Sequence, residues 1–167
     1  DFKGTYYQLD DVKIAPLPVQ ARLPLWLGGS SPKAIERTAR FGTGWQAGIE
    51  GPADIAPVIT AIKERTAELN RRIDDDHFGA GFAYRFGEAD HPAVSGYRKL
   101  LSERLGKDPR GFMATGDASD LMALIKEFHA AGAHKFILRP MATGTVDMLE
   151  QTHLMVEELL PQLDELN

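Results

Sequence analysis

Short apolar runs alternate with helix-patterned stretches along this chain, and that alternation restricts the fold more than any other feature. Residues 23–27 form an apolar run closed by Gly28-Gly29, and residues 43–48 form a second that carries Trp45. Residues 77–87 (HFGAGFAYRFG) are a third, rich in aromatics and glycine. Phe136-Ile137-Leu138 is the fourth, ended by Arg139-Pro140. Continuous apolar strands set between helices argue for a parallel sheet covered on its outer face. Four such βα units suit a small doubly wound domain. They equally suit half of an eight-stranded barrel, since 167 residues fall short of the roughly 250 a closed barrel takes.

The helices follow from capping and period. Ser31 is placed as an N-cap with Pro32 at the first helical position, where a missing N–H costs nothing. Ile35, Thr38 and Ala39 form its inward stripe, and Gly42 is expected to end it in a left-handed conformation. Ile55, Val58, Ile59, Ile62, Thr66 and Leu69 recur at helical spacing. Pro92 starts a third helix through Val94, Tyr97, Leu100, Leu101 and Leu105. The run from Asp117 to Asp120 reads as a helix start with acids in the first turn, followed by Leu121, Leu124, Ile125 and Phe128, with Gly132 as terminator. A last helix begins near Thr145, with Met148, Thr152, Met155, Val156 and Leu159 expected to face inward. Ahead of all this, residues 4–9 and 12–14 read as a hairpin or irregular ribbon about Asp10-Asp11, and Pro16, Pro18 and Pro24 suggest an extended linker.

Composition removes several functions. There is no cysteine, so disulfides, zinc–cysteine sites, iron–sulfur clusters and thiol nucleophiles are excluded. Nineteen Lys and Arg against 24 Asp and Glu leave a net charge of −5, with no footprint for nucleic acid. No apolar stretch approaches the roughly 18 residues of a membrane span, and the start has nothing of a signal peptide. A cytoplasmic protein is the expectation.

The sharpest local motif is Trp26-Leu27-Gly28-Gly29-Ser30-Ser31-Pro32. Glycines turn the backbone tightly at a strand end while serine hydroxyls and free helix amides face the same space, which suits a phosphate or other anion. The same residues also describe an ordinary capped turn. They are neither a P-loop nor a Rossmann fingerprint. Arg85 and Arg139 sit near strand C-termini, where chemistry collects in parallel folds and guanidinium forks suit phosphate or carboxylate; an ion pair tying down a loop is the plainer reading. Trp45 lies at a strand end among Gly42, Gly44 and Gly48, placed to line a pocket for a planar ring or to fill core. His77, His91, His129, His134 and His153 read as surface or structural. Asp74-Asp75-Asp76 reads as a solvated turn, so no metal site is expected. No Ser-His-Asp set or glycosidase carboxylate pair can be assigned, and the catalytic residues stay unassigned.

These residues, in order, resemble a known family. Gly4 with Tyr6-Tyr7, Pro16-x-Pro18-x-Gln20, the Gly28-Gly29 strand end with its helix, and Ala39-Arg40-x-Gly42-x-Gly44-Trp45 are similar to the later half of the luciferase-like monooxygenase superfamily. Residues 114–120 (ATGDASD) and 135–140 (KFILRP) continue the likeness. The resemblance implies a (β/α)8 TIM barrel of which this chain supplies the last four βα units as a C-terminal half-barrel. Residues 1–24 would be ribbon and linker, and residues 25–167 strands five to eight with their helices.

It further implies an FMN- or F420-dependent oxidoreductase or monooxygenase acting on a small-molecule substrate. The cofactor phosphate would lie at Gly28, Gly29, Ser30 and Ser31, with Trp45 and Arg139 toward the cofactor and Arg85 toward the substrate. The N-terminal half of the same barrel, or another copy of the chain, would complete the fold, and the intact protein would be a homo-oligomer. Two other classes remain open on the residues alone: a phosphosugar isomerase or aldolase barrel, and a non-catalytic half-barrel assembly module.

Overall fold

The computed structural model describes residues 1–106 and 109–166. Side chains at 105, 109, 110 and 164–166 lie outside that description, so the expected place of Leu105 on its helix stripe does too. The chain starts with a small antiparallel ribbon, β1 (Phe2–Lys3) paired with β2 (Gln8–Leu9). Its turn is Gly4 to Tyr7, closed by a bond from the Gly4 N–H to the Tyr7 carbonyl at 2.9 Å. The expected hairpin about Asp10-Asp11 is therefore corrected. At Gly4 a Cβ would come within 2.5 Å of the Phe2 ring, so the missing side chain leaves room for that turn.

The main sheet is all parallel. Its strands are β3 (Trp26–Gly28), β4 (Gly44–Gln46), β5 (Phe78–Phe86), β6 (Met113–Gly116) and β7 (Lys135–Pro140). The helices α1 (Pro32–Phe41), α2 (Pro52–Glu68), α3 (Pro92–Leu105), α4 (Ala118–Ala130) and α5 (Thr145–Leu154) each follow a strand. Five strands replace the four expected. The sequence pattern assigns no strand to Met113–Gly116, and the simple four-unit half-barrel is corrected on this point. The extra strand exists because β5 is long. β4 pairs with it only at Phe78 and Gly79, which frees the same edge for β6 at Ala83 to Phe86. The opposite edge pairs with β7.

One face of β5 meets the helices. Phe78, Ala80, Phe82, Tyr84 and Phe86 join Trp45, Ile55, Ile59, Ile62, Leu121, Ile125 and Phe128 in the principal core. Phe82 stacks on Phe128, with ring centroids 5.9 Å apart and planes 6° from parallel. On the other face Trp26 lies flat over Gly44, where a Cβ would come within 2.5 Å of the indole. Nearer the C-terminal end of β5 that face is covered by α3, whose Val94 packs with Ala83, Met113 and Met141.

Capping sets the helix starts as expected at Ser31 and Asp117, the latter in a capping box with Asp120. Two details differ. Gly42 ends α1 with φ −68, in extended backbone. Of the expected inward set Leu159 is fully buried in the principal core and Met155 packs against it, but Met148 in α5 and Val156 beyond its end are exposed, and the buried residue of α5 itself is Gln151. Its inward stripe is polar, carrying Asp147 and Gln151 one turn apart, because it meets the end of a strand rather than its apolar middle. Among the described residues, no helix is long and apolar enough to cross a membrane.

Candidate functional site

Because every strand of the main sheet runs the same way, all the strand C-termini open on one rim, where ligands bind in parallel α/β folds. Three of the sequence-derived positions fall on separate parts of it. The first is the β3–α1 turn. Gly29 has φ +98, and a Cβ there would meet the Ala34 side chain at 3.0 Å. Ser31 caps α1, its Oγ accepting from the Ala34 N–H at 3.3 Å, and Pro32 occupies the first helical position. No acid lies in the first turn of α1. Glu36, one turn further in, is matched by Arg65 at 2.6 Å and by Arg40, and their hydrogen bonds hold its carboxyl down to about 2. The dipole of α1 thus meets no carboxylate of its own first turn, and Ser30 is exposed beside it. Such a turn has the donors to hold a phosphate oxygen.

Trp45 stands behind this turn rather than over it. It is 0% exposed, in the core, and its indole N–H donates to the Gly29 carbonyl at 3.0 Å. Arg37 reaches the Gly28 carbonyl at 3.4 Å from the solvent side. Both fix the turn's backbone.

The second position is Arg85, near the end of β5. Register keeps it away from the first. β4 ends at Gln46 opposite Gly79, whereas Arg85 lies six residues further along β5, roughly 20 Å at the usual strand rise. Arg85 lines a cleft of 410 Å³ with Phe86, Gly87, Glu88, Asp90, His91 and Pro92. Its Nη1 donates to the Met141 carbonyl at 2.8 Å and to both oxygens of Asp147 at 3.1 Å. The Asp147 carboxyl is held below its ordinary range, first by the Thr143 N–H and also by Arg85. Beside this pair, Gln151 receives the Phe86 N–H at 2.7 Å and returns a bond to the Phe86 carbonyl at 3.2 Å.

The third position is Arg139, exposed on the face of β7 away from the helices, in register with Ala83. The structure therefore joins Gly28, Gly29, Ser30, Ser31 and Trp45, and leaves Arg85 and Arg139 apart from them. At the opposite end of the sheet Asp74, Asp76 and His77 come together, with ligand atoms within 4.8 Å of one another. Asp76 is bound there by Lys135 at 3.0 Å and by His77 at 2.9 Å, and Asp74 faces Arg72 at 3.5 Å.

Sequence reasoning passed over Asp147 and Gln151 and read His91 only as surface or structural. His91 was legible: it precedes Pro92 as Ser31 precedes Pro32, and it caps α3 through Nδ1. Asp147 and Gln151 are four apart on one helix face, but only their partners 62 and 65 residues away give that spacing meaning.

The family profile described as Luciferase-like monooxygenase matches residues 1–148. Among curated proteins, pyrimidine monooxygenase RutA of Methylobacterium radiotolerans is 25% identical over 185 aligned positions, which cover 98% of this chain and 47% of that protein. Two solved structures share the fold. An F420-dependent secondary alcohol dehydrogenase with an F420–acetone adduct has TM-score 0.73 and 19% identity, over 96% of this chain and 54% of that one. Monooxygenase RslO1 from Streptomyces bottropensis has TM-score 0.74 and 15% identity, over 96% and 55%.

This chain thus spans about half the length of these relatives. The likeness itself runs along nearly all of it, so the expectation that only a C-terminal half-barrel is represented is corrected. The expected complementing partner, an N-terminal half or a second copy, is corrected as well. In each solved relative the matched fold lies within one continuous polypeptide.

Proposed function

The chain belongs to the luciferase-like monooxygenase family, and from that premise we propose that it serves a flavin- or F420-dependent oxidoreductase or monooxygenase reaction on a small-molecule substrate. The observation that carries the reading is the β3–α1 turn. Gly29, in a backbone conformation that disfavours a side chain, sits beside a helix start whose first turn holds no acid. Phosphate of FMN or of F420 fits there against the N–H groups of Ser30, Ser31 and Lys33, with the serine hydroxyls adding donors. A bound cofactor of this kind supplies the hydride or oxygen chemistry.

The protein's part is to hold and orient. Trp45 fixes the Gly29 carbonyl from the core side, so its role toward cofactor is indirect. Arg139 offers an exposed guanidinium on the sheet face away from the helices, available to cofactor or substrate. Arg85 keeps only one edge for substrate, since Asp147 and Met141 occupy the other. Titrating the protein with FMN, F420 and riboflavin, followed by cofactor fluorescence, tests the assignment. A phosphate site requires FMN to bind more tightly than riboflavin, which lacks that group; equal affinities would remove the turn from the cofactor site.

A further inference from the structure

The side chain of Gln46 stands at the end of β4, on the face of the sheet away from the helices. Alternation along the strand fixes that side: Trp45 turns into the helix-covered core, so Gly44 and Gln46 turn the other way. Register pairs Gln46 with Gly28 on one neighbouring strand and with Gly79 on the other. Both partners are glycines, so neither raises a side chain beside the carboxamide. A Cβ at Gly79 would overlap the Gln46 carboxamide oxygen and come within 3.2 Å of the Trp26 ring. Trp26 lies over Gly44 and closes this face below Gln46. The carboxamide is level with the strand end that leads into the β3–α1 turn.

That carboxamide keeps most of its hydrogen-bonding capacity. A Gln side chain offers two N–H donors and an oxygen with two lone pairs. Here Nε2 makes a single long bond, to the Ala47 carbonyl at 3.3 Å. The oxygen meets no donor among the described residues, and the side chain is only half-buried.

We infer that Gln46 binds the ribityl chain, the polyol that joins the ring of the cofactor to its phosphate. The inference rests on the reading of the β3–α1 turn as the phosphate site. Adjacent strands lie about 4.8 Å apart, so Gln46 is one strand spacing from Gly28, where hydroxyls on the carbons next to the phosphate would fall. Each hydroxyl both donates and accepts, and so does a carboxamide. Charge favours the amide as well. A carboxylate in this place would repel the phosphate, and a guanidinium would compete for it. FMN and F420 share the ribityl chain, so the same subsite serves either.

Affinities of the full 167-residue chain for FMN, riboflavin and lumiflavin, read by flavin fluorescence, separate the parts of the ligand. Riboflavin lacks the phosphate, and lumiflavin carries a methyl group in place of the ribityl chain. Riboflavin should bind about tenfold more tightly than lumiflavin, the effect of one hydrogen bond. Gln46→Leu should erase that difference, weakening FMN and riboflavin about tenfold each and leaving lumiflavin unchanged. Gln46→Glu should weaken FMN more than riboflavin, because its carboxylate meets the phosphate. Equal binding of riboflavin and lumiflavin, or a Gln46→Leu change shared by all three ligands, would overturn the subsite and leave the phosphate turn standing. Equal binding of FMN and riboflavin would overturn the turn, and the subsite with it. F420, its phosphate-free riboside and the bare deazaflavin ring are compared in the same way; no binding in either series would overturn both.

Discussion

The carboxamide of Gln151 takes both backbone hydrogen bonds that Phe86 would otherwise share with a neighbouring strand. β7 ends its pairing at Pro140 opposite Tyr84, and the Met141 N–H makes the last ladder bond, to the Tyr84 carbonyl at 2.8 Å. Phe86 points its N–H and C=O to the same edge, beyond the reach of β7. Gln151, 3% exposed, fills the place of the missing strand. Buried backbone groups need such partners.

Gln151→Leu preserves bulk and removes both bonds. Stranding a buried N–H and C=O costs roughly 1–3 kcal/mol each, so urea unfolding should show a loss of about 2–6 kcal/mol. A loss below about 0.5 kcal/mol, the scatter of ordinary surface changes, would mean that water or a shifted strand replaces the side chain.

Asp147 gives stability a dependence on acid. Its carboxyl is depressed in the fold by the Thr143 N–H and by Arg85. A depressed carboxyl contributes stability that is present above the unfolded value, near 4, and is lost as pH falls through the folded value. Thermal unfolding of the native protein should therefore weaken from about pH 4 downward. Asp147→Asn should be less stable at neutral pH, with Arg85 left uncompensated, and its acid slope should be shallower. Parallel slopes would show that Asp147 contributes no proton linkage.

His134 works with the same sign, in a higher pH range. Desolvation first, and the nearby His129 second, lower its value, and the two rings lie 4.6 Å apart. The unfolded chain then binds the proton more readily, so stability should decline as pH falls below about 6.5. His134→Gln should flatten that segment of the stability profile; an unchanged profile would contradict the lowered value.

Gly29→Val tests the turn at α1. Its φ of +98 is strained for any side chain, and the added Cβ would press on Ala34, costing on the order of 1–3 kcal/mol. FMN affinity should fall with it. Affinity equal to that of the native protein, in a folded variant, would detach the turn from the phosphate.

Phe128→Ala reads the α4 face. Phe128 is fully buried and stacked on Phe82, so truncation should cost about 3–5 kcal/mol. A nearly neutral result in thermal unfolding would mean the α4 face packs elsewhere.

The order of elements was legible because its causes are local. Ser31-Pro32 caps and opens α1 with no reference to the rest of the chain, and the stripe from Ile55 to Thr66 marks α2 by period alone. Phe78–Phe86 was legible as one long strand for the same reason. Met113–Gly116 was not. Four residues of weak strand preference pair with β5 only because β4 stops at Gln46 and leaves that edge free. The polar stripe of α5 was hidden likewise, since an apolar set one position away looks better in isolation.

What the sequence determined by itself was therefore the alternation of strands and helices, the caps that start them, and the glycine–serine turn at Gly28 to Ser31. Tertiary structure alone decided which site residues meet. β5 runs seven residues past Gly79, its last partner on β4, and two past Tyr84, its last partner on β7. That register carries Arg85 away from the β3–α1 turn and delivers it to Asp147, 62 residues distant in the chain. Periodicity and capping act within a few residues, whereas register is set by how long each strand finds a neighbour. No local pattern carries that length.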